Sequence, residues 1–307
     1  MYSSIPTVLE GLVVGDPVRH AGLAVFPLIA ESEPRGSGYL TLEDALHKEV
    51  LVITEAEEAG RVNELTVANR GAEPVLLVDG EELLGAKQNR VFNISMLIPG
   101  HATIEVPVSC VERGRWSYKS ARFAASRRAQ HATGRARRHQ AVTQTLRERG
   151  SATGNQQEVW LDLDAKAERL QARSDTGAMS EMFERHSESV ERFVEPLKVG
   201  PSQVGAVFAV SGSLVGLELF DSSPTCARIL PKVVRGYALD ALDFGRESDA
   251  PPVEDARRFI HRVAAGDWLP FPGVGAGVSL RLETPGLTGS ALLEAERVLH
   301  LAAFALP

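Results

Sequence analysis

The amino-acid sequence predicts an α+β fold, with an antiparallel, β-rich, sandwich-like N-terminal half and a C-terminal half of helices packed on a smaller antiparallel sheet. Residues 1–116 are a succession of short apolar runs divided by Gly, Pro, Asn and acidic turns, which is typical of antiparallel strands. Residues 151–307 combine helical periodicity with a hairpin pattern. We expect these two regions to form one continuous α+β domain, joined by a basic segment at 117–150.

The composition is that of an ordinary globular protein, with 44% hydrophobic and 24% charged residues among 307. A net charge of -7 argues against general coating of nucleic acid. No apolar run approaches the roughly 20 residues of a membrane span, and we expect neither a membrane partner nor an export signal. Cys110 and Cys226 lie far apart in the chain, which favours free thiols in a cytoplasmic protein.

The N-terminal region contains the clearest strand patterns. Residues 50–54 and 64–69 are apolar or alternating runs that end in turn residues. Between the earlier strands, Thr41 precedes a short helical pattern with Asp44 at the third following position, which predicts a capped helical turn.

Polar chemistry is densest between residues 74 and 116. The wholly apolar run at 75–78 predicts a buried strand, and alternation at 103–108 predicts another. A loop held between buried strands is a rigid place to mount functional groups. The polar residues that lie between these strands are Glu81, Glu82, Lys87, Gln88, Asn89 and Arg90.

These residue types suit a phosphorylated ligand that contains a base or a ribose. Lys87 and Arg90 are able to meet phosphate as a point charge and as a bidentate clamp. Just beyond the next strand, Trp116 supplies an aromatic face, Arg115 a forked donor and Glu112 an acceptor. The alternative interpretation is an ordinary solvated loop, and spacing alone leaves both open.

The segment 117–150 carries nine basic residues against one acid, Glu148. It is poor in large apolar residues, so we expect either a lid that orders on an anionic ligand or a solvated, partly disordered connector. RNA binding has little support, because Tyr118 and Phe123 are its only aromatics. The basic residues are Lys119, Arg122, Arg127, Arg128, Arg135, Arg137, Arg138, Arg147 and Arg149.

Helices dominate the start of the C-terminal region. Apolar residues at helical spacing predict helices over 155–173, 179–197 and 253–265. Ser223 followed by Pro224 predicts the capped start of a helix that runs to about residue 242.

Strand patterns fill the remainder of this region. Two apolar runs around Ser211 and Gly212 predict a hairpin over 204–220. Strands are expected at 278–282, 290–293 and 298–304. The glycine run at 273–277 precedes a strand rather than opening a helix, which excludes a dinucleotide-binding fingerprint there.

Several stretches resemble a family of prokaryotic proteins, the ADP-ribosylglycohydrolase and rhodanese-phosphatase-superfamily-associated protein domain. They are GEELLGAKQNRVFN, PVSCVERGRW, DTGAM, QVGAVFAVSGSLVGLELFDSS and KVVRGYALDAL. The resemblance runs from about residue 60 to the end. It implies processing of ADP-ribose or a related NAD-derived nucleotide, and proteins of ADP-ribosylation systems as partners. The positions that match these motifs are Glu81, Lys87, Gln88, Asn89, Arg90, Cys110, Glu112, Arg115, Trp116, Asp221 and Lys232.

Two classes of function follow. In the first, the protein binds or hydrolyses an ADP-ribose derivative, with Glu81 or Glu112 as acid or base. Cys110 is a second catalytic candidate, although a Cys at the end of an apolar strand is commonly buried filler. No cofactor is predicted, and the sequence is compatible with a divalent metal without requiring one. In the second class, a non-enzymatic β-rich scaffold docks a protein or RNA through the arginine-rich segment.

Overall fold

The computed structural model describes residues 4–31, 37–57, 61–245 and 247–306. Within these ranges the chain forms eight helices and eighteen strands that are mostly antiparallel, which confirms the predicted α+β class. Met1 and Pro307, the outer ends of the expected regions, lie outside the described residues. None of the described helices is both long enough and apolar enough to cross a membrane.

Strands occur throughout the chain. They are β1 (Leu12–Val14), β2 (Val18–His20), β3 (Leu23–Ala30), β4 (Leu40–Thr41), β5 (Leu51–Glu55), β6 (Glu64–Asn69), β7 (Val75–Leu77), β8 (Glu81–Gly85), β9 (Arg90–Phe92), β10 (Met96–Ile98), β11 (Thr103–Cys110), β12 (Phe123–Ala129), β13 (Gln203–Val210), β14 (Ser213–Phe220), β15 (Trp268–Pro272), β16 (Val278–Thr284), β17 (Leu287–Glu294) and β18 (Arg297–Ala305). The helices are α1 (Ser4–Glu10), α2 (Leu42–His47), α3 (Ala132–Arg149), α4 (Gln156–Arg169), α5 (Met179–Arg185), α6 (Ser187–Val194), α7 (Ser223–Phe244) and α8 (Val253–Ala264).

The largest sheet draws strands from both halves of the chain. Its order is β1-β3-β13-β14-β18-β17-β16-β15, with β2 paired to β3, and every pairing is antiparallel. One face packs against α7 and the other against α1 and α8. Because both faces are covered, β13 is buried along its whole length.

Two smaller sheets complete the N-terminal region. One has the order β12-β8-β9-β11-β6-β5, and the other the order β10-β7-β4, in which β4 and β7 are parallel. Their inward residues form a separate apolar cluster that includes Leu65, Val75, Leu83 and Phe92. This arrangement fixes the ends of β8, β9 and β11, where the predicted polar loop lies.

The expectation of a connector or lid at 117–150 is wrong for most of this segment. Residues 123–129 form β12 and residues 132–149 form α3. Arg135 and Arg138 are buried, and they meet the buried carboxylate of Asp79. These two arginines are core residues because acids elsewhere in the chain compensate their charge.

Helix boundaries agree with the sequence where the cap is local. Thr41 caps α2 by accepting from the Asp44 amide, and Asn155 caps α4 in the same way. The single helix expected over 179–197 is instead two helices that meet at His186, whose side chain lies 2.8 Å from the Leu170 carbonyl. Ser222, rather than Ser223, caps α7, which continues through Pro231.

Candidate functional site

The polar residues between β8 and β9 and those after β11 meet at the ends of these neighbouring interior strands of the six-stranded sheet. The chain turns sharply after β8, where Gly85 and Ala86 both have positive φ angles. Arg115 holds the two loops together, since its guanidinium donates to the carbonyls of Ala86 at 2.6 Å and Ser117 at 2.9 Å. Sequence-distant residues are thereby fixed side by side.

Two exposed aromatic rings flank a lysine at these strand ends. The side chains of Trp116 and Tyr118 are 46% and 53% exposed. The Lys87 ammonium lies 5.1 Å from the centroid of the Trp116 ring and 5.2 Å from that of Tyr118, within the range of a cation–π contact. We call the group formed by Lys87, Arg90, Glu112, Arg115, Trp116 and Tyr118 the Trp116 site.

Arg90 lies beneath the aromatic face. Its guanidinium carbon is 5.8 Å from the Trp116 ring centroid, and the side chain is fully buried. It donates to Gln88 at 2.9 Å and approaches Glu55 at 3.8 Å, while its Nε and Nη2 atoms have no hydrogen-bond partner among the described residues. Burial lowers the pKa of Arg90, opposed by the nearby Cys110 and Glu55.

Glu112 is the carboxylate of this site. Burial alone would raise its pKa, but hydrogen bonds from Arg115 and from the Asn89 amide hold the pKa of Glu112 below its usual value. Both carboxylate oxygens accept hydrogen bonds. Arg115 and the Asn89 amide donate to one, and Thr176 donates to the other at 3.2 Å. Glu112 is therefore an ionised structural acceptor as well as a site carboxylate.

Cys110 lies at the end of β11, buried behind the site. Burial raises the pKa of its thiol, an effect that Arg90 partly opposes. The Gln156 side chain holds the Cys110 backbone through bonds to its amide at 2.7 Å and to its carbonyl at 2.9 Å. This environment favours the neutral thiol over the thiolate that a nucleophile needs.

Glu81 and Lys232 form a different cluster. The Lys232 ammonium donates to Glu81 at 2.7 Å and lies 3.2 Å from Glu43. Glu82, the next residue along β8, contacts Ser126 at 2.8 Å instead. Because consecutive strand residues point to opposite faces, Glu81 and Glu82 do not share one cleft.

Asp221 belongs to a third cluster. The Tyr39 hydroxyl donates to one carboxylate oxygen, and Arg297 lies 2.6 Å from the other. Burial raises the pKa of Asp221, opposed by the hydrogen bond from Tyr39 and the charge of Arg297. The structure thus brings together most of the sequence-predicted residues but places Glu81, Lys232 and Asp221 in other clusters.

Sequence reasoning missed two members of the Trp116 site and its surroundings. Tyr118 follows Trp116 by two residues, and that spacing was a usable signal for a paired aromatic face. Glu55 is 35 residues from Arg90 and ends a different strand, so no local sequence pattern indicates that the two residues are neighbours. Among the residues that the structure describes, no group of three or more His, Cys, Asp or Glu side chains is arranged to hold a metal ion.

Comparison with known families gives one match. The family model of the ARG and Rhodanese-Phosphatase-superfamily-associated Protein domain matches residues 11–304. The match includes the whole Trp116 site and extends the resemblance seen in the sequence toward the N-terminus. Neither a curated protein nor a solved structure matches the chain.

Proposed function

Since the chain belongs to the ARG and Rhodanese-Phosphatase-superfamily-associated Protein domain family, we propose that the Trp116 site binds ADP-ribose or a related NAD-derived nucleotide. The proposal takes ARG to stand for ADP-ribosylglycohydrolase, a class of enzyme that acts on ADP-ribose. The family name also supports an association with ARG and rhodanese-phosphatase proteins, so enzymes of ADP-ribosylation systems are the proposed partners.

The observation that carries this proposal is the placement of the Lys87 ammonium between two exposed rings. A nucleotide needs an aromatic face for its base and a cation for its phosphate. Trp116 and Tyr118 offer the face. Lys87 offers the cation, since its ammonium lies 5.1 Å and 5.2 Å from the two ring centroids. Arg90 adds a second positive charge beneath the stacking surface.

The geometry supports binding better than hydrolysis. A general base must be free to accept a proton from water. The Glu112 oxygens already accept from Arg115, Asn89 and Thr176. Glu81 is held by Lys232. The hydrogen bonds to Glu112 also keep its pKa below its usual value, which makes its carboxylate a weaker general base.

The arginine-rich segment offers less to a docked partner than its sequence indicates. Arg135 and Arg138 are buried. Arg137 and Arg147 pair with Asp162 and Glu283. Arg122, Arg127 and Arg149 remain exposed, so the segment keeps part of its positive surface charge, but no contact among the described residues specifically favours a scaffold function.

Calorimetric titration with ADP-ribose tests the proposed binding. We expect saturable binding that weakens about 5- to 150-fold in Trp116→Ala, since one base–aromatic stack contributes about 1–3 kcal/mol. Lys87→Gln is expected to weaken ADP-ribose more than adenosine, because only the former carries phosphates. Phe244→Ala, which removes an exposed ring far from this sequence motif, is the matched control and should bind normally. Equal affinity in Trp116→Ala and wild type would refute the assignment.

Turnover is tested separately by mass spectrometry of nucleotides. The protein is incubated with NAD, ADP-ribose, ADP-ribose phosphate and an ADP-ribosylated peptide, with and without divalent metal. The proposal predicts binding without conversion. Conversion that disappears in Glu112→Gln would instead identify a hydrolase with Glu112 as its base.

A further inference from the structure

A cavity that shares no lining residue with the Trp116 site lies beside α3. Its volume is about 400 Å³, and the N-terminal half of α3, the β13–β14 turn and the end of α7 form its walls. The lining is mostly apolar, with Ala136, Val210, Leu214, Val215, Phe244 and Leu306 as its main members. Cavities of this size and character ordinarily take small organic molecules.

The carboxylate in the wall, Asp240, is already compensated. It accepts from the Thr133 amide at 3.0 Å, from the Thr133 hydroxyl at 2.8 Å and from the Lys166 ammonium at 2.7 Å. A second carboxylate, Asp162, lies outside the lining; it pairs with Arg137, and Nε2 of His131 is 3.1 Å away. Neither acid offers an open negative charge to a ligand.

The charge within reach of a ligand is that of Arg137. Its side chain is 64% exposed at the rim of the cavity, and it pairs with Asp162 through Nη1. A guanidinium has five N–H donors, so Arg137 can bind a ligand carboxylate through Nε and Nη2 while its Nη1 keeps Asp162 compensated. An exposed guanidinium beside an apolar cavity is complementary to a carboxylate on an apolar body.

A catalytic role for the same wall is disfavoured by the contacts of His131. The chain Asp162, His131, Thr133 has the order of a proton relay, with Nε2 of His131 3.1 Å from Asp162 and Nδ1 3.0 Å from the Thr133 hydroxyl. However, Nδ1 also accepts the Gly134 amide at 2.9 Å, as a helix cap. A proton on Nδ1 would face that N–H, so His131 is unsuited to act as a base.

We propose that this cavity binds a small monocarboxylate with an apolar body, such as a medium-chain fatty acid, whose carboxylate pairs with Arg137. The apolar chain would lie against Leu214, Val215 and Phe244. This site is independent of the nucleotide proposal, since it shares no residue with the Trp116 site.

Calorimetry and ligand-observed NMR with decanoate, below its micellar concentration, test the inference. Decanol and decylammonium serve as probes with the same chain and a different head group. Arg137→Gln removes the proposed anchor, and Val215→Trp fills the cavity. Arg147→Gln is the matched control, because Arg147 lies on the same helix but outside this cavity.

We expect decanoate to bind at one site. Arg137→Gln should weaken it about tenfold, as expected for loss of a charge-assisted hydrogen bond, Val215→Trp should abolish binding and Arg147→Gln should leave it unchanged. Decylammonium should bind more weakly than decanoate. The proposal is overturned if decanoate does not bind the wild-type protein, if decylammonium binds as well, or if neither variant weakens binding.

Discussion

Removing one partner of a buried ion pair is expected to lower the free energy of unfolding, and Lys232 offers a direct test. It is buried, and its ammonium compensates Glu81 and Glu43. Removing the amine in Lys232→Met leaves Glu81 as an uncompensated buried charge, which typically costs about 3–5 kcal/mol. We expect the free energy of unfolding, measured by urea denaturation, to fall by that order.

The double variant Lys232→Met with Glu81→Gln is the control for this prediction. It removes both charges and should recover part of the lost stability. If Lys232→Met instead retained full stability and lost affinity for ADP-ribose, Lys232 would be a ligand contact, as the sequence motifs indicated.

The two cysteines give a second prediction at this scale. Burial raises the pKa of both thiols, and Cys110 and Cys226 are inaccessible in the folded protein. We expect a thiol reagent at neutral pH to modify neither residue until the protein is unfolded in denaturant. Rapid labelling of Cys110 in the native protein, located by peptide mass spectrometry, would restore it as a nucleophile candidate.

Within elements, α3 is packed more tightly than its sequence suggests. A Cβ atom at Gly134 would lie 2.6 Å from the His131 ring and 2.9 Å from Asp162. Gly134→Ala should therefore destabilise the protein by about 1–3 kcal/mol through overpacking, although alanine is the better helix former. Thermal and urea denaturation measure the change.

Gly200→Ala is the matched control for that substitution. No atom of the described residues lies within 4 Å of a Cβ placed at Gly200, so we expect a nearly unchanged free energy of unfolding. A stabilising effect of Gly134→Ala would contradict this prediction. It would show that helix propensity outweighs the close contacts and that the side chains of His131 and Asp162 shift at little cost.

Sequence reasoning succeeded where an element depends on its own neighbours. Thr41 and Asn155 cap helices through residues three positions away, so their roles were readable. It failed for α3, because the acids that compensate the charge of Arg135 are Asp79 and Glu218, which lie 56 and 83 residues away. Burial of an arginine is a tertiary property that local composition does not contain.

The same distinction explains the site. Lys87, Arg90 and Trp116 flank neighbouring strand ends, so their proximity followed from the strand pattern. The positions of Glu81 and Lys232 depended on which face of β8 meets α7, and the pairing partner lies 151 residues away. Strand alternation predicts that two consecutive side chains diverge, but it does not say which neighbour each will meet.

Across the whole molecule, a buried ionic network joins the sheets. Asp79 follows β7 of the three-stranded sheet, and Glu218 lies in β14 of the nine-stranded sheet. Arg135 on α3 binds both, with distances of 3.1 Å to Asp79 and 2.6 Å to Glu218. Burial alone would raise the pKa of Asp79, but Arg135 and His139 hold it well below its usual range.

Stability should consequently fall as the pH is lowered. Burial lowers the pKa of His139 from 6.5 to about 3, so between these values the unfolded chain binds a proton that the native protein excludes. The free energy of unfolding therefore decreases as pH falls through this window. Protonation of Asp79 adds to the loss at still lower pH, since its carboxylate is stabilised only in the folded state.

Glu82 contributes a pH dependence of the opposite sign. Burial raises its pKa from 4.5 to about 7, so the native protein retains a proton that the unfolded chain releases within this window, and this contribution to stability is lost as pH rises. Glu82→Gln mimics the neutral acid and can still accept from Ser126. Relative to wild type, the variant should gain up to about 3 kcal/mol between pH 4.5 and about 8 in urea denaturation. Glu184→Gln is the control, because Glu184 is an exposed carboxylate 3.1 Å from Arg128, which also lies 3.8 Å from Glu82. A pH-independent difference for Glu82→Gln would mean that Glu82 titrates normally.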